Sequence, residues 1–114
     1  MVNKWEIYFC NFDPTVGSEQ RGIRPVLILS KNAVNHHLNV CTVLPLSSVK
    51  PGDKIYPTEV LLEPLVTGLP KLSVAMVQQI RTVSQSRLTR LAGTVMDIDV
   101  RNRILAVCRA YFEL

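Results

Sequence analysis

Runs of β-favouring residues, separated by proline, glycine and polar residues, divide most of this chain into short segments. Residues 5–12 are rich in aromatic and β-favouring side chains, and their two-residue period places Trp5, Ile7 and Phe9 on one side. The segment 24–30 is too continuously apolar to have a face in water, which predicts a central strand. Further strands are predicted at residues 40–46, 58–62, 73–79, 80–83 and 92–95. Together these strands fit a small closed sheet.

The apolar period changes near the end of the sequence. Apolar residues recur at the spacing of one helix face, at Val100, Ile104, Val107, Cys108 and Tyr111. This spacing predicts a helix packed on the sheet, with Asp97 or Asp99 as its N-cap. The arginines at positions 101, 103 and 109 fall mostly off that face and are expected in solvent. Many short strands and one terminal helix indicate a mainly β fold, a small β-barrel with helical additions.

Three connections between these elements carry local signals. Residues 31–35 are expected to form a helical turn capped by Ser30, and residues 84–88 a second turn. Residues 47–56 contain Pro-Gly-Asp with two lysines nearby, which predicts an exposed connection that faces the substrate.

The composition fits one folded domain, residues 1–114, with a modest positive charge. The formal net charge is +4, which suits nucleic acid or an acidic peptide as the partner. The first six residues lack the apolar core of a signal peptide, and no apolar run approaches the roughly 18 residues that a membrane span needs. We therefore expect a cytoplasmic protein without a membrane partner.

Cysteine and histidine do not form a recognisable site in the sequence. Cys10, Cys41 and Cys108 lie far apart and are odd in number, so we expect three small buried side chains rather than a disulfide framework. His36 and His37 are adjacent in a polar loop, where their side chains point apart, and a catalytic pair is not expected. The spacing also fails the pattern of metal ligands, so neither a metal nor a cofactor is predicted.

A long motif lies between the first two predicted strands. Asp-Pro-Thr-Val-Gly-Ser-Glu-Gln occupies residues 13–20, and Gly-Ile-Arg-Pro follows at residues 22–25. Later landmarks are Val-Leu-Pro-Leu-Ser-Ser at 43–48, Pro-Thr-Glu-Val at 57–60 and Gln-Ile-Arg-Thr-Val at 79–83. Over nearly the whole chain these motifs resemble the MazF/PemK family of toxin–antitoxin toxins. The resemblance implies an SH3-like barrel, as in MazF, CcdB and Kid, that forms a homodimer.

The resemblance also implies an endoribonuclease that cuts single-stranded RNA, mRNA in particular, at a short sequence without a metal. RNA is cut when its own 2′-hydroxyl attacks the adjacent phosphate, which needs a proton acceptor, a cation and a proton donor. Arg24 is the expected catalytic cation, because a guanidinium matches phosphate oxygens and stays charged. An ion pair with Glu19 is the structural alternative for this side chain.

Two further catalytic residues are expected beside Arg24. Ser47 stands where the family commonly has threonine at the end of the third strand, and it keeps the hydroxyl that contacts the scissile phosphate. A hydroxyl bonded only to backbone is its structural alternative, and Ser48 could substitute if the register slips by one. Glu19 could accept the 2′ proton, although orienting Arg24 suits a carboxylate beside arginine better.

Residues around these three are expected to bind the RNA. Gln20 and Gln79 carry amides that can read base edges, while Arg81 supports the site or a phosphate. The remaining candidates are Thr15, Gly17, Ser18, Arg21 and Ser48. Gln78 stands where some family members carry an acidic residue. The aromatic side chains of Trp5, Tyr8 and Phe9 can stack on bases but are expected in the core.

An acidic antitoxin is the implied protein partner, laid across the basic groove so that it neutralises Arg21 and Arg24. Two alternative functions stay open. One is a CcdB-like poison of DNA gyrase, against which the chain ends Phe-Glu-Leu instead of a tryptophan-containing tripeptide and keeps the arginine of Gly-x-Arg-Pro. The other is an RNA-binding family member that has lost cleavage, suggested by Ser47 and Gln78.

Overall fold

A computed structural model describes residues 1–14, 16–18 and 21–114. Its strands are β1 (Glu6–Asn11), β2 (Ile23–Ile28), β3 (Val40–Ser48), β4 (Glu59–Leu62), β5 (Ser73–Met76), β6 (Arg81–Ser84) and β7 (Leu88–Thr94). Its α-helices are α1 (Asn32–Asn35), α2 (Pro64–Thr67) and α3 (Ile98–Phe112). Short 3₁₀ turns lie at Val77–Gln79 and Gln85–Arg87. The prediction of a mainly β fold with a C-terminal helix is confirmed.

In this described part of the chain the strands form one antiparallel, seven-stranded sheet. Its order is β4-β5-β3-β2-β1-β7, and β6 pairs with β3 outside that path. The long strand β3 serves two parts of the sheet: residues 40–43 pair with β6, and residues 46–48 pair with β5. Between these regions β3 pairs with β2, ending at Val26 opposite Pro45. β3 therefore leaves β2 after Pro45 and continues beside β5, so the sheet splits at this point.

The second half of strand β2 is buried on both faces, as its apolar run predicts, whereas Ile23 and Arg24 at its start are exposed. Leu27 packs into one core with Ile7 and Ile104, while Val26 and Ile28 pack into a second core on the other face. These three β2 side chains have no exposed surface. Burial of each contributes about 1.5–3 kcal/mol relative to exposure, which fixes the position of the residues that begin the strand.

Helix α3 covers the first core. Val100, Ile104 and Cys108 point inward, and the side chain of Asp97 accepts hydrogen bonds from the amides of Asp99 and Val100, confirming the N-cap. Tyr111 departs from the prediction: it is 43 % exposed and meets Phe112 edge to face.

Arg101 also departs from its prediction. Its Nε donates to the carbonyl oxygen of Val95 at 2.7 Å, and its guanidinium lies 5.2 Å from the centre of the Trp5 ring. The expectation that Arg101 is merely solvated is therefore wrong, because the helix start places it over the core.

Three local predictions are corrected. Lys31, not Ser30, is the N-cap of α1, and the Ser30 hydroxyl instead donates to Oδ1 of Asn35 and accepts from the Thr42 amide. The predicted strand 73–79 ends at Met76, where a 3₁₀ turn redirects the chain. The predicted strand 92–95 is longer and begins at Leu88. The alternation of apolar and polar side chains alone does not show where the hydrogen bonding between strands begins or ends.

Candidate active site

Arg24 lies at the start of β2, opposite Cys10 of β1. Its side chain is exposed, and its Nε donates to the carbonyl oxygen of Arg21 at 3.1 Å. This bond to the preceding turn orients the guanidinium at the surface, where a phosphate can approach. Its predicted partner Glu19 lies outside the described residues.

Ser47 lies where β3 leaves β2 and joins β5. The β2–β3 pairing ends at Val26 opposite Pro45, and Ser47 pairs instead with Val74. Arg24 and Ser47 thus each lie two residues beyond the last β2–β3 pair, facing the gap between the diverging strands. Ser47 is half-buried, whereas its neighbour Ser48 is exposed and pairs with Ser73.

A cavity of about 230 Å³ occupies this gap. Its polar lining comes from Arg24, Ser47, Ser48, Lys71 and Ser73. Its apolar lining comes from Phe9, Ile23, Pro25, Leu46, Leu69 and Pro70. The structure therefore brings two predicted catalytic residues into one pocket. Lys71 was not predicted, since nothing in the local sequence pattern shows that the connection before β5 reaches this pocket.

The loop that presents Arg24 is held at its base by backbone contacts. The Phe12 amide donates to the Gly22 carbonyl at 2.9 Å, and the Gly22 amide donates to Oδ1 of Asp13 at 3.1 Å. Gly22 has a φ of 69°, a conformation that favours glycine. Asp13 and Pro14 are joined by a cis peptide bond.

Arg87 is a second residue that the sequence analysis missed. Its Nη1 donates to the carbonyl oxygens of Asn11 at 3.0 Å and Asp13 at 2.8 Å, which ties the loop to the turn before β7. Only the tertiary fold brings position 87 to this loop, although the sequence placed it within the predicted turn at residues 84–88. Arg87 is thus a positioning residue for the segment that carries Arg24.

The predicted RNA-binding residues lie in two groups. Gly17, Ser18 and Arg21 are exposed on the loop, where Nη2 of Arg21 approaches the Gly17 carbonyl at 3.4 Å. Gln79 is half-buried, and its Nε2 donates to the Ser18 carbonyl at 3.4 Å, so the two groups are in contact. The predicted sites at Thr15, Glu19 and Gln20 fall on positions that the structure does not describe.

Arg81 lies behind the loop instead of on its exposed rim. It is half-buried, with its guanidinium carbon 5.1 Å from the centre of the fully buried Phe12 ring. This position suits the predicted supporting role. The exposed Gln78 donates from Nε2 to Oε2 of Glu59 at 3.3 Å.

Aromatic side chains differ in their relation to the cavity. Trp5 is buried, as predicted. Phe9 is half-buried and lines the pocket, with the guanidinium of Arg90 4.3 Å from its ring centre. The prediction that Phe9 lies in the core is therefore only partly confirmed. Its ring is also an apolar part of the pocket lining beside Arg24.

The other chemically active side chains lie elsewhere. Cys10, Cys41 and Cys108 are buried, which confirms their predicted burial. Burial raises the pKa of the Cys10 thiol, against the opposing charges of Arg87 and Arg81. His36 contacts Oδ1 of Asn3, and His37 contacts the carbonyl of Ala33 on α1.

No group of three His, Cys, Asp or Glu side chains placed to hold a metal ion occurs among residues 1–14, 16–18 and 21–114. Within the same ranges, none of the helices has the length and apolar character needed to span a membrane.

The fold and this cavity define a small mainly β protein with a cationic pocket at the division of its sheet. Residues 3–110 match the family described as PemK-like, MazF-like toxin of type II toxin-antitoxin system. The chain therefore belongs to this toxin family, which confirms the family predicted from its motifs.

Characterised relatives carry a consistent description. The endoribonuclease EndoA of Bacillus subtilis is 34 % identical over 89 residues, covering 78 % of this chain and 76 % of that protein. The endoribonuclease MazF9 of Mycobacterium tuberculosis is 35 % identical over 100 residues, covering 83 % of each chain. Their names agree with the predicted endoribonuclease activity.

Solved structures extend the comparison to the fold. MazF from Deinococcus radiodurans is 26 % identical with a TM-score of 0.80, covering 99 % of this chain and 97 % of that chain. A MazE-MazF structure from the same organism is 26 % identical with a TM-score of 0.74, and the match covers 99 % of this chain and 96 % of that chain. The predicted fold class is confirmed by these similarities.

Proposed function

We propose that this protein is the toxin of a type II toxin–antitoxin pair and an endoribonuclease that cuts single-stranded RNA, chiefly mRNA, at a short sequence. The observation that carries the proposal is the shared pocket of Arg24 and Ser47, in a chain whose relatives are named endoribonucleases. The 2′-hydroxyl of the RNA attacks the adjacent phosphate. The products are a 2′,3′-cyclic phosphate and a 5′-hydroxyl.

The proposed chemistry uses groups that the pocket contains. Arg24 binds the non-bridging oxygens of the scissile phosphate through its fork of N–H donors, and its charge offsets the charge that builds on phosphorus. Ser47 donates its hydroxyl proton in a hydrogen bond to the same phosphate. Glu19 orients Arg24 in this scheme. Because the nucleophile belongs to the RNA, no metal is needed to generate it.

The proposed RNA path runs from the pocket over the loop. Gly17, Ser18 and Arg21 are exposed there, and Gln79 contacts Ser18. An arginine and backbone amides on this rim suit the phosphates of a single strand, while amide side chains suit unpaired base edges. Thr15, Gln20, Ser48 and Arg81 complete the proposed binding set.

The proposed protein partner is an acidic antitoxin. The family consists of toxins from toxin–antitoxin pairs, and a similar solved structure contains MazE with MazF. A flexible anionic segment laid over Arg21 and Arg24 would occupy the phosphate path. We also propose that the toxin works as a homodimer in the cytoplasm.

The test is to incubate the purified protein with a long single-stranded RNA in excess chelator and to map the ends. We expect cuts at one short sequence, with cyclic phosphate and 5′-hydroxyl ends. A matched RNA with a 2′-deoxy nucleotide at the cut position should stay intact, because it lacks the nucleophile. RNA that is bound but left uncut would favour the non-cleaving alternative and contradict the proposal.

A further inference from the structure

Lys71 lies on the same pocket as Arg24 and Ser47, in the connection between α2 and β5. Its backbone is fixed by the neighbouring strand pair. The hydroxyl of Ser73, a residue only 3 % exposed, donates to the Lys71 carbonyl at 3.1 Å. The Val49 amide donates to the Leu72 carbonyl at 3.0 Å, which joins this connection to the end of β3.

The residues before Lys71 are also constrained. The amide of Leu69 donates to Oγ1 of Thr67 at 3.0 Å, and Pro70 has a fixed φ. The connection thus holds its lysine at a defined place on the pocket, while the side chain itself is exposed. The backbone of this connection therefore places the lysine beside the pocket, and its exposed ammonium can reach a bound RNA.

Arg24 and Lys71 are the charged side chains among the described residues that line the pocket. They are not equivalent chemically. A guanidinium does not release its proton in proteins, whereas a lysine ammonium has three protons that it can donate. Arg24 therefore suits the phosphate oxygens, and the departing 5′ oxygen still needs a proton.

We propose that Lys71 is a further catalytic residue that donates a proton to the 5′ oxygen as it leaves. This inference rests on the proposed ribonuclease function. The 2′-oxygen–phosphorus bond forms and the phosphorus–5′-oxygen bond breaks. The 2′ proton passes to water, one Nζ proton of Lys71 passes to the 5′ oxygen, and the neutral amine then recovers a proton from solvent.

The test compares two RNA oligonucleotides that differ in one atom at the cut. One is natural, and the other has sulfur in place of the bridging 5′ oxygen. A thiolate leaves without protonation because thiols are far more acidic than alcohols. The variants are Lys71→Met and Lys71→Arg, and Lys31→Met is a control that removes an equal charge near the opposite end of β3.

We expect Lys71→Met to cut the natural RNA about 100-fold more slowly, within the usual range for a lost general acid. It should cut the sulfur substrate nearly as fast as the unmodified protein. Lys71→Arg should behave like Lys71→Met, because arginine keeps the charge without a transferable proton. Lys31→Met should cut both normally, and Lys71→Arg, which keeps the charge, should bind a 2′-deoxy oligonucleotide with unchanged affinity.

Other results would overturn the proton transfer from Lys71. These are equal slowing on both substrates, normal cutting of natural RNA by Lys71→Met, or recovery of the natural rate by Lys71→Arg. Failure of the ribonuclease function itself is distinguishable, since the unmodified protein would then cut neither substrate. That last result would overturn both proposals.

Discussion

Arg24 and Ser47 become neighbours through strand pairing. Val26 and Pro45 form the last pair between β2 and β3, after which β3 turns toward β5. Arg24 and Ser47 lie two residues beyond this last pair, on β2 and β3 respectively, and both line one pocket. Their motifs are separate in sequence, so the resemblance names both residues, but only the register explains why they line one pocket.

Substitutions of Ser47 test its proposed hydrogen bond to the scissile phosphate. Ser47→Ala should slow single-turnover cleavage by about 100-fold, because loss of one preorganised donor commonly costs 10²–10³ in rate. Ser47→Thr should keep activity, since it retains the hydroxyl and restricts the rotamer. Ser48→Ala is the matched comparison and should slow cleavage less than Ser47→Ala does, because Ser48 is assigned to RNA binding and not to the scissile phosphate. Normal cleavage by Ser47→Ala, with slow cleavage by Ser48→Ala, would contradict the assignment.

Among the elements, β2 was the most predictable from sequence. Its continuous apolar run correctly predicted burial on both faces for residues 26–28, because alternate side chains enter the two cores, whereas Arg24 at the predicted start of the strand is exposed. The divergence of β3 toward β5 was not predictable, since periodicity shows which face is apolar but not which strand is the neighbour. The pocket arises at that divergence. Lys71 and Arg87 were missed for the same reason.

Strand β7 and helix α2 pack closely together, just before the connection that carries Lys71. Gly93 in β7 lies against α2, and a Cβ at this position would overlap the backbone carbonyl oxygen of Thr67. That helix leads directly into the connection that holds Lys71. The absence of a side chain at Gly93 is therefore a packing requirement.

Gly93→Ala should lower the free energy of unfolding by about 1–3 kcal/mol, because backbone atoms must move apart. Urea denaturation measures this change. Leu91→Ala on the same strand is the control, since Leu91 is 50 % exposed and its truncation should cost less than about 1 kcal/mol. Equal stability of Gly93→Ala and the unmodified protein would contradict the close packing of α2 on β7.

At the scale of the whole molecule, two hydrophobic cores lie on opposite faces of β2. The second core holds Cys10 and Cys41 beside Phe12, the residue at the base of the loop that presents Arg24. Burial, with a smaller contribution from nearby Cys10, raises the pKa of Cys41 from 9.0 to about 11. The thiol is therefore neutral in the fold at neutral pH.

This shift predicts a loss of stability in alkali. The unfolded chain releases the Cys41 proton near pH 9 and the folded chain near pH 11, so the contribution is complete below pH 9 and falls as pH rises to about 11. The loss is at most about 3 kcal/mol, because each pKa unit corresponds to about 1.4 kcal/mol. Urea denaturation should show a destabilisation by Cys41→Ala that is smaller at about pH 10.5 than at about pH 8. An equal difference at both pH values would contradict a neutral buried thiol.

The most direct measurement of the central claim is single-turnover RNA cleavage by Arg24→Ala in the presence of chelator. Because Arg24 is exposed, this variant should remain folded and lose cleavage by at least about 100-fold. Arg109→Ala, which removes an exposed arginine on α3, should cut normally. An unchanged rate for a folded Arg24→Ala protein would contradict the role of its guanidinium at the scissile phosphate.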